Sequence, residues 1–144
     1  MPLEEYNRMR NFKKTNEPEG KVKLGKNNIY VIQKHAASHL HYDLRLEMDG
    51  VLKSWAIPKI PPVKKGIKRL AVQTEDHPVD YTDFEGVIPE GQYGAGTVKI
   101  WDKGTYELKE RDKNKIIIRI NGKRLKGRYC LIKFKGKNWL FFKC

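Results

Sequence analysis

Three of the four histidines in this 144-residue chain, His35, His39 and His41, fall within seven residues. The last two open a strictly alternating run, His39-Leu40-His41-Tyr42-Asp43-Leu44-Arg45-Leu46-Glu47. In a strand, side chains at i and i+2 share a face. Leu40, Tyr42, Leu44 and Leu46 are therefore expected on the core side, with His39, His41, Asp43, Arg45 and Glu47 on the other. Neighbours in that polar row sit about 6–7 Å apart at Cα, so an imidazole and a carboxylate can reach one ion. With His35 just upstream, two imidazoles and the Asp43 carboxylate make a three-ligand set for a divalent metal, leaving positions open for water and substrate. Arg45 extends the same face, and a guanidinium fork beside a cation suits a shared anion such as phosphate. The fourth histidine, His77, follows Glu75 and Asp76, whose carboxylates can orient its ring. The plain alternative is a solvated polar face; Arg45 and His77 argue against it.

The charge distribution points to a polyanionic partner. The chain carries 30 Lys+Arg against 17 Asp+Glu, a net charge of +13. Residues 113–144 hold eleven basic residues and no acid, interleaved with Tyr129, Phe134, Trp139, Phe141 and Phe142. A basic, aromatic-bearing segment is the footprint of a nucleic-acid face, although a solvated lysine-rich surface has the same composition. Two cysteines, Cys130 and Cys144, are too few for a disulfide framework or a Cys-rich zinc site. No apolar run approaches the roughly 20 residues of a membrane-spanning helix. The first residues carry acids and no apolar stretch, so no secretory signal is expected and a cytoplasmic location is.

The elements that must hold these residues read as β. Residues 1–28 form an expected N-terminal arm, with a short helix over 3–12. From Ile29 come short runs broken by turn residues: 29–32, 39–47, 51–57, 70–74, 97–101, 106–108, 116–120, 129–134 and 138–142. Asp102-Lys103-Gly104 reads as a turn, and residues 76–96 as a long irregular stretch of the kind that carries function. The expected fold is mainly β: one domain over 1–144, a compact β-barrel of about eight short strands over 29–144, with short flanking helices and the arm.

Two blocks, QKHAASHLHYDLRLEMDGVLKSWAIPK (Gln33–Lys59) and EDHPVDYTDFEGVIPEGQYGAGTVKIWDKG (Glu75–Gly104), resemble the 3′-phosphoesterase domain of bacterial ligase D and its stand-alone archaeal relatives. The resemblance runs from about Tyr6 to the C-terminus. It implies a β-barrel that trims 3′ ends in DNA end joining with Mn²⁺. A phosphodiesterase step removes a terminal ribonucleoside and a phosphomonoesterase step then leaves a 3′-hydroxyl. It implies His35, His41 and Asp43 as metal ligands, with His39 a neighbour. Arg45 and His77 would hold the scissile phosphate, with Tyr81 at the same site. Lys59 and Arg69 match basic positions of the substrate pocket, Gln33 a polar position near the metal, and Arg10 and Glu17 positions of the arm. Asn11 stands where the family carries an Asp. The implied partners are primer-template DNA with a 3′-ribonucleotide or 3′-phosphate end, a separate ligase, a polymerase and Ku.

These residue types suit phosphoester cleavage, which needs charge neutralised on non-bridging oxygens, an activated water and help for the leaving oxygen. The His₂Asp set also suits Zn²⁺ or Co²⁺. No Lys-x-Asp-Gly occurs, the nearest string being Glu47-Met48-Asp49-Gly50, so sealing is expected to fall to another ligase. The Gly-rich run 86–96 lacks the Gly-Lys-Ser/Thr ending of a nucleotide-binding loop and reads as a structured loop bordering the pocket. The competing reading is a non-catalytic basic β-barrel that holds nucleic acid for a separate ligase.

Overall fold

Alternating apolar and polar residues carry the chain into nine strands in the computed structural model, which describes residues 2–22 and 27–144. They are β1 (Ile29–Ala36), β2 (Leu40–Met48), β3 (Val51–Ile57), β4 (Lys68–His77), β5 (Gly86–Ile88), β6 (Gly96–Asp112), β7 (Lys115–Asn121), β8 (Lys126–Lys135) and β9 (Asn138–Lys143). All pairings are antiparallel, and the order around the sheet is β1-β2-β3-β4-β9-β8-β7-β6. β6 returns to β1, with Ile29 opposite Thr105 and Ala36 opposite Thr97, which closes eight strands into a barrel. β5 adds beside the start of β6.

Two apolar layers hold the molecule together. The barrel interior is filled by Tyr30, Ile32, Leu44, Leu46, Trp55, Ile118, Tyr129 and Phe141, among others. Each such side chain contributes roughly 1.5–3 kcal/mol of transfer free energy. One end of the barrel is stoppered by the buried Pro61 and Pro62, and the Pro62 carbonyl accepts the Tyr129 hydroxyl at 2.7 Å. The second layer lies outside the barrel. Leu3, Tyr6 and Phe12 of the arm and Tyr81, Phe84 and Ile88 of the long connection pack there on Val51, Leu52 and Val98. The polar row of β2 is therefore covered: Asp43, Arg45 and Glu47 are buried. Leu40 instead sits 47% exposed at the strand end, so the core row starts at Tyr42.

Several sequence expectations are corrected. Asp102-Lys103-Gly104 is no turn; the 17-residue β6 continues through it, with a bulge at Trp101 where the register with β1 shifts. The Asp102 carboxylate accepts the Tyr30 hydroxyl and the backbone N–H groups of Lys123, Arg124 and Leu125, all at 2.8–3.0 Å. Turn-forming residues here tie strands together, and Gly104 leaves room for the Asn121 carbonyl. The arm helix α1 is shorter than expected, Glu4–Arg8. The long connection contains a 3-10 turn, Val79–Asp83, and β5. Three of the five aromatics in the basic segment, Tyr129, Trp139 and Phe141, are barrel core, so they offer no face to a nucleic acid. Among the described residues no helix is long and apolar enough to cross a membrane.

Candidate metal centre and phosphate site

Pairing of β1 with β2 sets His35 directly opposite His41, and Asp43 lies two residues further along β2 on the same face. The ligand atoms of His35, His41 and Asp43 all lie within 4.8 Å of one another. His35 Nδ1 is 3.4 Å and His41 Nε2 3.3 Å from Asp43 Oδ2. The remaining nitrogens are committed to backbone carbonyls: His35 Nε2 donates to Gly94 at 2.6 Å, and His41 Nδ1 to His39 at 3.0 Å. Those bonds orient both rings, with one nitrogen of each turned toward the Asp43 carboxylate. The donor set therefore fits a divalent ion. His39 contributes its carbonyl and no ring nitrogen. Gly94 has φ +76°, and a Cβ there would stand 3.4 Å from the His35 ring, so a glycine lets this loop carbonyl approach.

Electrostatics sharpen the cluster. Burial alone would raise the Asp43 pKa, but the charge of Arg45 and the hydrogen bonds from His35 and His41 hold it far below the usual carboxylate range. Burial pulls His41 down, yet the hydrogen bond and charge of Asp43 prevail and leave it above its ordinary value.

Arg45, next on the face, is braced on two sides. Its Nε donates to Gln33 Oε1 at 2.7 Å and its Nη1 to Ser54 Oγ at 2.9 Å, while Nη2 stands 3.5 Å from Asp43. Gln33 in turn donates to the carbonyls of Tyr81 and Phe84 at 2.8 and 3.1 Å. Gln33 is thus a buried strut beneath Arg45. His77 ends β4, and its Nδ1 donates to the Glu75 carbonyl at 2.9 Å, which leaves Nε2 as the acceptor 3.4 Å from Arg10 Nη2. Burial, then the charges of Arg45 and Arg10, push its pKa well below the ordinary histidine value. Asp76, offered as a ring orienter, pairs with Lys53 instead, at 3.0 Å.

The arm closes this face. Arg10 is buried against Glu17 at 3.0 Å and Glu75 at 3.4 Å, with its guanidinium 3.8 Å over the Tyr6 ring. Glu17 also accepts Thr15 Oγ1 at 3.0 Å and the Tyr81 hydroxyl at 2.5 Å. Burial drives the Tyr81 phenol well above its normal pKa, so it stays protonated, its ring edge-on to His77 at 4.7 Å. Asn11 does not prevent closure: it is exposed and caps its own turn through Lys13 N–H at 3.1 Å.

His35, His41, Asp43, Arg45, His77, Tyr81, Arg10 and Glu17 all line one cavity of about 190 Å³. Lys59 and Arg69 do not; they border a separate groove of about 300 Å³ with Lys68. Sequence reasoning missed Ser54, Gly94, Tyr93 and the grip of Glu75 on Arg10. For Gly94 and Tyr93 the signal was the Gln92-Tyr93-Gly94 string inside the long connection; Ser54 carried none.

A family model for the DNA ligase D 3′-phosphoesterase domain matches residues 33–133. The chain is 48% identical over 144 residues to the multifunctional non-homologous end joining DNA repair protein LigD of Mycobacterium tuberculosis (strain ATCC 25618 / H37Rv), covering 96% of this chain and 19% of that protein. It is 48% identical over 152 residues to the LigD of Pseudomonas aeruginosa, covering 98% and 18%, and 48% identical over 151 residues to that of Mycolicibacterium smegmatis, covering 96% and 20%. It thus spans about a fifth of the length of these relatives. A closed barrel bearing a His₂Asp cluster beside a buried arginine, and a match over most of the sequence, lead to one assignment: the chain belongs to the DNA ligase D 3′-phosphoesterase domain family.

Proposed function

We propose that this chain is a divalent-metal-dependent phosphoesterase that heals DNA 3′ ends in non-homologous end joining. The observation that carries the reading is the convergence of His35, His41, Asp43 and Arg45 in one cavity of a family member. In the first step water attacks the phosphorus of a 3′-terminal ribonucleotide, the terminal ribonucleoside leaves, and a 3′-phosphate remains. In the second, water displaces the 3′-oxygen, giving a 3′-hydroxyl and inorganic phosphate.

His35 Nδ1, His41 Nε2 and Asp43 would hold Mn²⁺, with Zn²⁺ or Co²⁺ suiting the same donors. Such an ion supplies charge at the phosphoryl oxygens and acidity to a water. Arg45, braced by Gln33 and Ser54, offers a preformed fork to the same oxygens. His77 Nε2 is the atom that exchanges a proton at the leaving oxygen; the negative charge of an entering phosphate offsets Arg10 and Arg45 and favours its protonation. Tyr81, Glu17 and Arg10 hold the arm over this face and so wall the cavity that the phosphate and the attacking water enter. The groove of Lys59, Lys68 and Arg69 takes the backbone of the incoming primer-template. A separate ligase, polymerase and Ku would act on the same ends.

The test is a 5′-labelled primer-template ending in one ribonucleotide, incubated with Mn²⁺ or with EDTA. Metal-dependent shortening to a 3′-phosphate and then a 3′-hydroxyl is expected. His41→Ala and Asp43→Ala should each abolish both steps with an unchanged far-UV spectrum. Full activity in either variant would sink the ligand assignment. Retained DNA binding without product would favour a non-catalytic binding barrel, the reading that the basic segment 113–144 supports.

A further inference from the structure

The mouth of the metal cavity has two unlike sides, and the strand register shows which is which. Asp43 pairs with Ala56 and Ala56 with Val72; Arg45 pairs with Ser54 and Ser54 with Thr74; Leu52 pairs with His77. His41 and Asp43, then Arg45, then His77 therefore follow one another along the strands. The groove of Lys59 and Arg69 lies beyond the His41 end of that row, since Ile57 pairs with Tyr42 and the chain continues past it into Pro58 and Lys59. Tyr93 stands on the other side. Its hydroxyl donates to Glu75 Oε2 at 3.4 Å, and Arg10, which meets His77 Nε2, stands over its ring at 5.3 Å. A primer that enters over Lys59 and presents its phosphate to His41, Asp43 and Arg45 places what lies beyond that phosphate toward Tyr93.

That side offers a flat surface. Among the described residues two tyrosines line the cavity; Tyr81 is buried, whereas Tyr93 is 47% exposed. Ala37, Ala56 and Thr74 at the mouth are small, and the half-buried His41 is committed to the Asp43 cluster, so Tyr93 is the broad ring open to a ligand there. It is also held in place. The Gln92 N–H donates to the Pro89 carbonyl at 3.2 Å and the Ala95 N–H to the Gln92 carbonyl at 3.1 Å, while the Gly94 carbonyl is gripped by His35. A ring fixed beforehand loses little entropy when a ligand stacks on it.

We propose that Tyr93 is the stacking platform for the base of the 3′-terminal ribonucleoside, the group expelled in the phosphodiesterase step; this rests on the function proposed above. Every base has a π-face, so the platform accepts all four. Holding the nucleoside at its base as well as its phosphate orients the leaving 5′-oxygen toward the His77 end of the row. Once the nucleoside has gone the phosphate is terminal, and the second step makes no use of the ring.

Two readouts test this. A primer-template whose terminal ribonucleoside carries 2-aminopurine, saturated with the full chain in EDTA so that nothing is cleaved, reports stacking as fluorescence quenching. Quenching is expected with the parent and with Tyr93→Phe, which keeps the ring, and its loss is expected with Tyr93→Ala. With Mn²⁺, the KM of Tyr93→Ala for the ribonucleoside-terminated end should rise about tenfold relative to its KM for a 3′-phosphate end, with the two kcat values in their parental ratio. Tyr93→Phe should restore the parent's KM ratio. Equal quenching by the parent and Tyr93→Ala, or a KM increase shared equally by both ends, would overturn the inference while the parent still shortens the primer. A parent that fails to shorten the primer with Mn²⁺ would instead overturn the function on which the inference rests.

Discussion

His77 is a neutral ring enclosed by two cations, and this has a measurable sign. In the unfolded chain it titrates near 6.5; in the folded chain burial, Arg45 and Arg10 depress it. Below pH 6.5 the unfolded state binds the proton and the folded state does not, so the His77 contribution is lost as pH falls through that value. His41 runs the other way: its raised pKa gives stability that is present below 6.5 and fades as pH rises through the folded value. Comparing the parent with His77→Gln isolates the first effect. The parent's denaturation midpoint should fall more steeply from pH 7.5 to 5 than the variant's, and equal slopes would show that His77 is charged when folded. His41 and Asp43 were legible in the sequence because i, i+2 spacing on a strand fixes a shared face. His35 needed the pairing register, which no local pattern states. Arg10 and Glu17 were visible only through family resemblance, since Arg10 meets Glu75 across 65 residues of chain.

At the scale of elements, polarity was misread wherever a tertiary partner reverses its meaning. Asp102-Lys103-Gly104 has the composition of a turn, yet Asp102 spends its carboxylate on three backbone N–H groups of the β7–β8 connection and on Tyr30. Asp102→Asn turns one acceptor oxygen into a donor facing donors. It should cost about 2 kcal/mol, read as a lowered denaturant midpoint with an unchanged slope. The strand β5 and the 3-10 turn were illegible because they form only against β6 and the arm. The arm itself depends on Arg10. Arg10→Ala leaves Glu17 and Glu75 buried without their cation, a loss of about 3–5 kcal/mol when one partner of a buried pair is removed. We expect the arm to lift while the barrel persists. Trypsin should then cut rapidly at Lys13 and Lys14, with far-UV signal from the strands retained and turnover lost. A protease-resistant variant would show that packing of Tyr6 and Leu3 suffices to hold the arm.

Across the whole molecule, β8 lies four strands from β2 in either direction around the ring, so much of the basic segment faces away from the metal cluster. Charge summed along the chain pointed to a nucleic-acid face by composition alone, whereas the primer-template path proposed above runs over Lys59, Lys68 and Arg69, which share one groove. Replacing Lys59 and Arg69 together should lower the slope of log affinity against log salt by about two, one for each phosphate no longer neutralised. Replacing Lys123, Arg124 and Lys126 should leave that slope close to the parent's; the reverse result would place the duplex along β7–β9. The two apolar layers also order events in time. Closing β1 onto β6 joins residues about 70 apart in sequence, a loop closure that makes barrels slow to fold. The arm docks on β3, β4 and the connection that leads to β6, so it gains its apolar partners only once those elements have come together. A barrel that closed ahead of the arm would carry the histidine cluster open, and the cavity would be complete only once the arm had settled over it.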